Sequence, residues 1–374
     1  MGNCNCCGDN NFINEEDIEK QKEKNLQKDL KDIDSNILQK QNKKKIFGII
    51  NSGNTCFMNS SLQGIFHCDE YNNQMKLYLN ENKILTTKLL VKEYLKILKL
   101  IEKGDKEIDV SKIKTILSKV EEKYKTNEQC DANEFISIFL NQMLNELKGI
   151  EPLSNNIFPN NINDTEIKKQ FERLNKLFIN KNNSFLIDLF YGKLIKELYC
   201  EKGHRISIKF QIYNIIELPI YKCSSYCFSG SNYVELIDLL KEYQKNHIVD
   251  EKIECNICGK EVLCYSKTTI FNIPKYLILF LNQDLKYSYN LQYVDFNETL
   301  ETNDFLKYTD FNKIYNLVGV INYYGNRESG HYTANCKNLI DKKWYYISDS
   351  YIEQLNDFDD IKSKYALILF YEQQ

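Results

Sequence analysis

Thirteen cysteines and four histidines carry the reactive potential of this 374-residue chain. A thiol nucleophile needs a base to take its proton, and only His67, His204, His247 and His331 can serve. Cys56 lies in Gly48-Ile-Ile-Asn-Ser-Gly-Asn-Thr-Cys-Phe-Met-Asn-Ser-Ser-Leu-Gln63. There Gly53 and Asn54 suit a tight turn, and Asn54 or Thr55 suits the cap of a helix running through Phe66. In the first turn of such a helix, unpaired N–H groups and the helix dipole favour a thiolate. The same N–H groups, with the Asn51 amide, can hold an oxyanion as a carbonyl is attacked. A buried structural cysteine fits the spacing equally well. His331 stands in Gly330-His331-Tyr332, after the turn-rich Gly325-Asn-Arg-Glu-Ser-Gly330. A substrate backbone can approach closely beside such a glycine, although a histidine in this setting is more often structural.

The elements that must position these residues follow from periodicity. Leu90, Tyr94, Ile97, Leu98 and Ile101 form one helical stripe, and Phe135, Ile138, Phe139, Met143 and Leu144 another, so residues 55–150 read mostly as helices with core-facing sides. From Leu186 onward strands are expected, including Ile206–Phe210, Ile215–Leu218, Tyr276–Leu281, Leu317–Tyr323 and Ala366–Tyr371. A helical half followed by a β-rich half indicates an α+β fold. Residues 1–45 differ in texture: they are charge-dense, with three cysteines in the first seven positions and Leu26, Leu30, Ile33 and Ile37 at the spacing of a short amphipathic helix. A solvated tail fits them as well. Residues 46–374 read as the globular domain, with a β-rich excursion at about 195–270 holding most of the remaining cysteines.

Composition narrows the function classes. Apolar residues make up 43% and charged residues 27%, which supports a sizeable core. Lys+Arg 49 against Asp+Glu 52 gives a net charge of −3, which argues against nucleic acid as a partner. No apolar run approaches the roughly 20 residues of a bilayer-spanning helix, and no secretory leader is visible. A cytoplasmic location is therefore expected, where an odd number of cysteines points to thiol chemistry or metal binding rather than to disulfides.

The segment Gly48 to Gln63 closely resembles the cysteine box of ubiquitin-specific proteases, Gly-Leu-x-Asn-x-Gly-Asn-Thr-Cys-Tyr-Met-Asn-Ser-x-Leu-Gln, with Ile49 for Leu and Phe57 for Tyr. The histidine box is matched by Leu317–Gly325, Gly330-His-Tyr-Thr-Ala334, Trp344-Tyr-Tyr-Ile-Ser-Asp-Ser350 and Ala366–Tyr371. Between them, Gln129-Cys-Asp-Ala-Asn-Glu-Phe135 is similar to the family's Gln-Gln-Asp-Ala-x-Glu-Phe. Several long motifs in one order, over roughly residues 46–374, make the resemblance specific.

The resemblance implies a papain-like fold with a helical thumb carrying Cys56, a β palm carrying His331, and β fingers that grip ubiquitin. It implies hydrolysis of the isopeptide bond after the C-terminal glycine of ubiquitin through a thioester, with no cofactor for catalysis. Cys56 would be the nucleophile, His331 its base and Asn51 the oxyanion residue. Asp131 and Glu134 would meet arginines near the ubiquitin C-terminus, with Gly330 and Tyr332 beside it; a solvated helix face is the plainer account of the two acids. An inactive ubiquitin-binding scaffold and a protease for a ubiquitin-like modifier are the alternatives.

Two departures matter. The position that usually holds Asp or Asn is Ser348, followed by Asp349; the expectation is that Ser348 orients His331 and Asp349 supports it. The family's two Cys-x-x-Cys zinc pairs are represented by Cys255 and Cys258 and by an altered Cys200-Glu-Lys-Gly203-His204, where His204 would complete a Cys₃His zinc set with Cys200. Cys264 is another substitute, and a site without metal the competing reading. Met1-Gly-Asn-Cys-Asn-Cys-Cys7 resembles dually acylated anchors, with Gly2 myristoylated and Cys4, Cys6 or Cys7 palmitoylated, which would hold the chain at the cytoplasmic face of a membrane; a floppy tail and a small metal-binding cluster are the alternatives.

Overall fold

A computed structural model describes residues 46–81, 88–149, 158–159, 162–220, 233–283, 291–308, 312–326 and 329–374. The expectations for Gly2, Cys4, Cys6, Cys7 and the amphipathic stripe at 26–37 lie outside these residues. The described residues belong to one compact unit, Lys45–Gln374.

Eight α-helices are found among the described residues: α1 (Cys56–Phe66), α2 (Asp69–Glu81), α3 (Leu89–Lys103), α4 (Ser111–Leu117), α5 (Ala132–Leu147), α6 (Thr165–Leu174), α7 (Phe185–Phe190) and α8 (Leu236–Tyr243). Every residue of α1 is buried, so this helix runs through the interior rather than over it. Several of its polar side chains bond locally or to neighbours: Ser61 Oγ donates to the Phe57 carbonyl at 2.6 Å, and Gln63 Nε2 to the Phe47 carbonyl at 2.8 Å, while Gln63 Oε1 and Asn59 Oδ1 are buried without a hydrogen bond. The five apolar residues expected on α3 are all buried.

The strands are β1 (Gly48–Ile49), β2 (Glu107–Ile108), β3 (Gly192–Cys200), β4 (Arg205–Tyr213), β5 (Ile216–Pro219), β6 (Tyr233–Glu235), β7 (Asn246–Cys255), β8 (Lys260–Asn272), β9 (Tyr276–Asn282), β10 (Tyr293–Asp295), β11 (Thr299–Glu301), β12 (Ile314–Gly325), β13 (Gly330–Lys337), β14 (Trp344–Ser348), β15 (Tyr351–Gln354) and β16 (Ala366–Gln373). Two sheets organise the chain. The larger runs β15-β14-β13-β12-β16-β9-β5, with β11 added on β12; the other is a four-stranded antiparallel sheet, β4-β3-β8-β7.

Strand alternation sorts side chains of the larger sheet to its two faces. Ile321, Tyr323, Ile368 and Phe370 join the core shared with α1, α3 and α5, whereas Leu317, Val320, Leu369 and Tyr371 join a second core with α8. One expectation needs correction: Leu186 does not begin the strand region. It lies in α7, capped by Ser184, whose hydroxyl accepts from the Leu186 N–H at 3.4 Å, and the β-rich part of the chain begins at Gly192. A short apolar run such as Phe185-Leu-Ile-Asp-Leu-Phe190 carries no period that separates helix from strand.

Candidate active site

The turn ahead of α1 is built around Asn51. Its Oδ1 accepts from the N–H of Gly53 at 3.0 Å, the N–H of Thr55 at 3.2 Å and the Thr55 hydroxyl at 3.1 Å. Gly53 and Asn54 take left-handed backbone conformations, φ 105° and 49°, as a tight turn requires. Thr55 occupies the N-cap position but makes no side-chain cap, because its hydroxyl is spent inside the turn, also accepting from the Ser52 N–H at 3.2 Å. The first N–H groups of α1 are therefore not consumed by a capping side chain. Three bonds to Oδ1 fix the amide, so Nδ2 faces the other way and donates to Asp349 Oδ2 at 2.9 Å.

Cys56 is 3% exposed. Burial pushes its thiol up from the ordinary value; the Tyr332 N–H opposes this, the Asp349 carboxylate adds to it, and the N–H groups of Phe57 and Cys56 oppose it again. The expected thiolate-favouring helix start is thus outweighed by desolvation. The Tyr332 N–H belongs to β13, so this contact ties the cysteine helix to the histidine strand.

His331 lies in β13 and is half-buried, with Nε2 2.8 Å from Ser348 Oγ at the end of β14. Asp349 has other partners. Its backbone is left-handed, φ 52°, its two carboxylate oxygens accept from Asn51 Nδ2 and from Asn59 Nδ2 at 2.7 Å, and its carbonyl accepts from the Ile49 N–H at 2.9 Å. Asp349 is therefore bound to the cysteine loop and to α1. Asn59 was not singled out in the sequence, although an asparagine on a wholly buried helix must find a partner.

A groove of about 700 Å³ is lined by Glu128, Asp131, Glu134 and Glu217 and by Tyr323 and Tyr332, among others. Asp131 is exposed at the N-cap of α5 without a side-chain cap bond, and Glu134 is ion-paired with Lys123. The Tyr332 ring is buried, 4.6 Å from the ring of Tyr323. Gly330 sits so close to Tyr323 that an added Cβ would fall 2.4 Å from its hydroxyl. Glu128 and Glu217 extend the acidic lining beyond the two acids expected.

In the four-stranded sheet, donor atoms of Cys200, His204, Cys255 and Cys258 all lie within 4.8 Å of one another. Nδ1 of His204 is 3.4 Å from Cys258 Sγ and 3.8 Å from Cys255 Sγ. Gly203 has φ +83°, which turns the chain after Cys200 and brings the next residue inward. His204, not Cys264, completes the group, and the four residues can hold a metal ion. Cys223 and Cys227 lie outside the described residues.

Comparisons with known proteins follow the same lines. A sequence model of the family described as "Ubiquitin carboxyl-terminal hydrolase" matches residues 47–371. Ubiquitin carboxyl-terminal hydrolase 2 of Bos taurus is 28% identical over 340 residues, covering 87% of this chain and 54% of the relative. The Gallus gallus protein of the same name is 29% identical, covering 87% of this chain and 92% of the relative. The chain thus spans about half the length of the bovine relative. Among solved structures, the SAGA Ubp8/Sgf11/Sus1/Sgf73 DUB module bound to ubiquitin aldehyde contains a chain with TM-score 0.66 and 19% identity, covering 89% of this chain and 70% of that one. That likeness establishes the fold: an α+β catalytic domain of this type.

Proposed function

Because the chain belongs to the ubiquitin carboxyl-terminal hydrolase family, we propose that it is a deubiquitinating thiol protease that cleaves the isopeptide bond after the C-terminal glycine of ubiquitin. The observation that carries this reading is the junction of α1 and β13. There the Cys56 thiol meets the Tyr332 N–H, and the neighbouring His331 is held by Ser348 at 2.8 Å.

With Nε2 directed to Ser348, Nδ1 is the nitrogen left to take the proton of Cys56. The sulfur then attacks the glycine carbonyl, and a C–S bond forms. Negative charge develops on the carbonyl oxygen; the second proton of Asn51 Nδ2 and the uncapped N–H groups of α1 supply the donors. Collapse breaks the C–N bond, and the histidinium returns the proton to the departing lysine amine. Water, deprotonated by His331, hydrolyses the thioester and restores the thiol. Glu128, Asp131, Glu134 and Glu217 give the groove an acidic lining that suits a basic polypeptide tail.

The metal proposed for Cys200, His204, Cys255 and Cys258 is zinc, in a tetrahedral Cys₃His set. Its contribution would be structural, clamping the turns after β3 and β7, and no catalytic step runs through it.

The test treats purified protein with ubiquitin carrying a thiol-reactive C-terminal group, beside a Cys56→Ala variant and a ubiquitin-like modifier bearing the same group. A covalent adduct with ubiquitin alone, lost in Cys56→Ala, is expected. Binding of ubiquitin without an adduct would replace this reading with a scaffold, and an adduct with the other modifier alone would change the substrate.

A further inference from the structure

We infer that Gln129 is a positioning residue: its side-chain amide locks the start of the histidine strand onto the thumb, and through it sets the geometry of His331 and the Tyr332 N–H. This rests on the proposed thiol-protease function of the same site. Gln129 Nε2 donates to the Gly330 carbonyl at 2.8 Å, and its Oε1 accepts from the Gly330 N–H at 3.1 Å. These are the two bonds that facing residues exchange in an antiparallel ladder, here made by one side chain from a different part of the fold. Gln129 stands two residues before Asp131, the N-cap of α5. Gly330 directly precedes His331, whose neighbour Tyr332 places its N–H on the Cys56 thiol.

The strand start has little freedom once this pair is made. The Tyr323 ring lies against Gly330 on one side, and Gly325 pairs with Gly330 across the hairpin. Tyr323 is itself fixed by its hydroxyl, which donates to the Asn326 carbonyl at 2.5 Å. The primary amide of Gln129 adds a donor and an acceptor at once to the bonds that already join this strand to the helices, the Tyr332 hydroxyl to the Ala132 backbone and the Tyr332 N–H to Cys56. A side chain with only one of these functions cannot satisfy both backbone groups. The relation matters because Ser348, a neutral hydroxyl, is the His331 partner among the described hydrogen bonds. Orientation that a carboxylate would enforce by charge must come instead from the backbone around the ring.

The experiment compares wild type, Gln129→Ala and Gln129→Glu by steady-state cleavage of a ubiquitin C-terminal amide. A second measurement follows the pH dependence of iodoacetamide alkylation at Cys56 by site-resolved mass spectrometry, which needs no substrate. Gln129→Ala is expected to lower kcat by about tenfold with KM nearly unchanged, as a small displacement of reacting groups does. It should also shift the alkylation pH profile. Gln129→Glu should not rescue kcat, because its carboxylate repels the Gly330 carbonyl. If Gln129 instead contacted a basic substrate tail, the alanine variant would raise KM alone and the glutamate variant would lower it. Either that pattern or unchanged kinetics with an unchanged alkylation profile overturns the inference. Should Gln129→Ala fail to fold, Gln129→Met keeps the stem without the bond pair and answers the same question. Absence of ubiquitin cleavage by wild type would defeat the proposed function, while the alkylation profile would still decide the role of Gln129.

Discussion

Ser348 and Asp349 are adjacent in the chain yet serve different neighbours. The serine hydroxyl meets His331 Nε2, and the aspartate spans Asn51 and Asn59. If these contacts define their roles, the two substitutions separate. Ser348→Ala removes the acceptor that holds the imidazole, and kcat/KM should fall by about 10- to 100-fold, with the acid limb of its pH profile displaced. Asp349→Ala frees the Asn51 amide and takes a negative charge from beside the thiol. Its kcat should fall through the lost oxyanion donor by up to about 10²-fold, and the Cys56 thiol should titrate lower because one of the groups raising it is gone. Measuring kcat/KM against pH for both variants decides the matter; full turnover in Ser348→Ala with loss in Asp349→Ala would reverse the assignment. The resemblance to the family's cysteine and histidine boxes singled out Cys56, His331, Asn51 and Ser348, because each stands at a matching position of a long motif; spacing alone left a structural cysteine and a structural histidine open. The partner of Asp349 was not legible, because it depends on a left-handed backbone at φ 52° and on Asn59 arriving from a different element.

At the scale of elements, the apolar stripes of α3 and α5 were legible because a 3.6-residue period is a local property. The helix at Phe185–Phe190 was not, since its run is too short to show a period. A feature of β3 equally hidden in the sequence is Lys193, 5% exposed, with Nζ 5.9 Å from the centroid of the Phe171 ring on α6. Desolvation pushes its ammonium down to about 8, with the Asp188 charge opposing. Below about pH 8 the lysine is protonated in both the folded and the unfolded chain, and the full burial penalty applies. Above that value the folded chain binds fewer protons than the unfolded one, so stability attributable to this site rises with pH until the unfolded lysine also deprotonates. Lys193→Met keeps most of the side-chain volume and removes the charge. It should stabilise the protein by on the order of 2–3 kcal/mol at neutral pH, with the gain shrinking as pH approaches about 10. Urea unfolding of both proteins across this range is the check; a gain independent of pH would mean that packing, not charge, is responsible.

At the scale of the whole molecule, the metal-ligand cluster belongs to a core separate from the one around α1. Cys200, Cys255, Val262 and Cys264 form a small buried group of their own in the β4-β3-β8-β7 sheet, whereas Phe47, Tyr94 and Phe139 belong to the core around the cysteine helix. The apolar group at that end is small, extended only by partly buried side chains such as Leu198, Ile206, Val249 and Ile253, and Ile248 and Ile257 of β7 and its turn stand 81% and 70% exposed. A metal joining the turns after β3 and β7 would replace the apolar burial that this end lacks, as structural zinc does in small domains. Elemental analysis should therefore find about one zinc per chain. Chelation should raise amide exchange across β7 and β8 while the amides of β9, β12 and β16 remain protected, since those strands lie in the other cores. Alkylation of Cys56 should survive chelation, because the cysteine helix packs in a different core; on the expectation that this sheet is the finger region that meets ubiquitin, capture of ubiquitin should weaken. His204→Ala should lose the metal and His204→Cys should keep it, restoring a four-thiolate set at the cost of a shifted turn. Protein that purifies without zinc and whose exchange pattern is untouched by chelator would show that this end is held by the sheet alone.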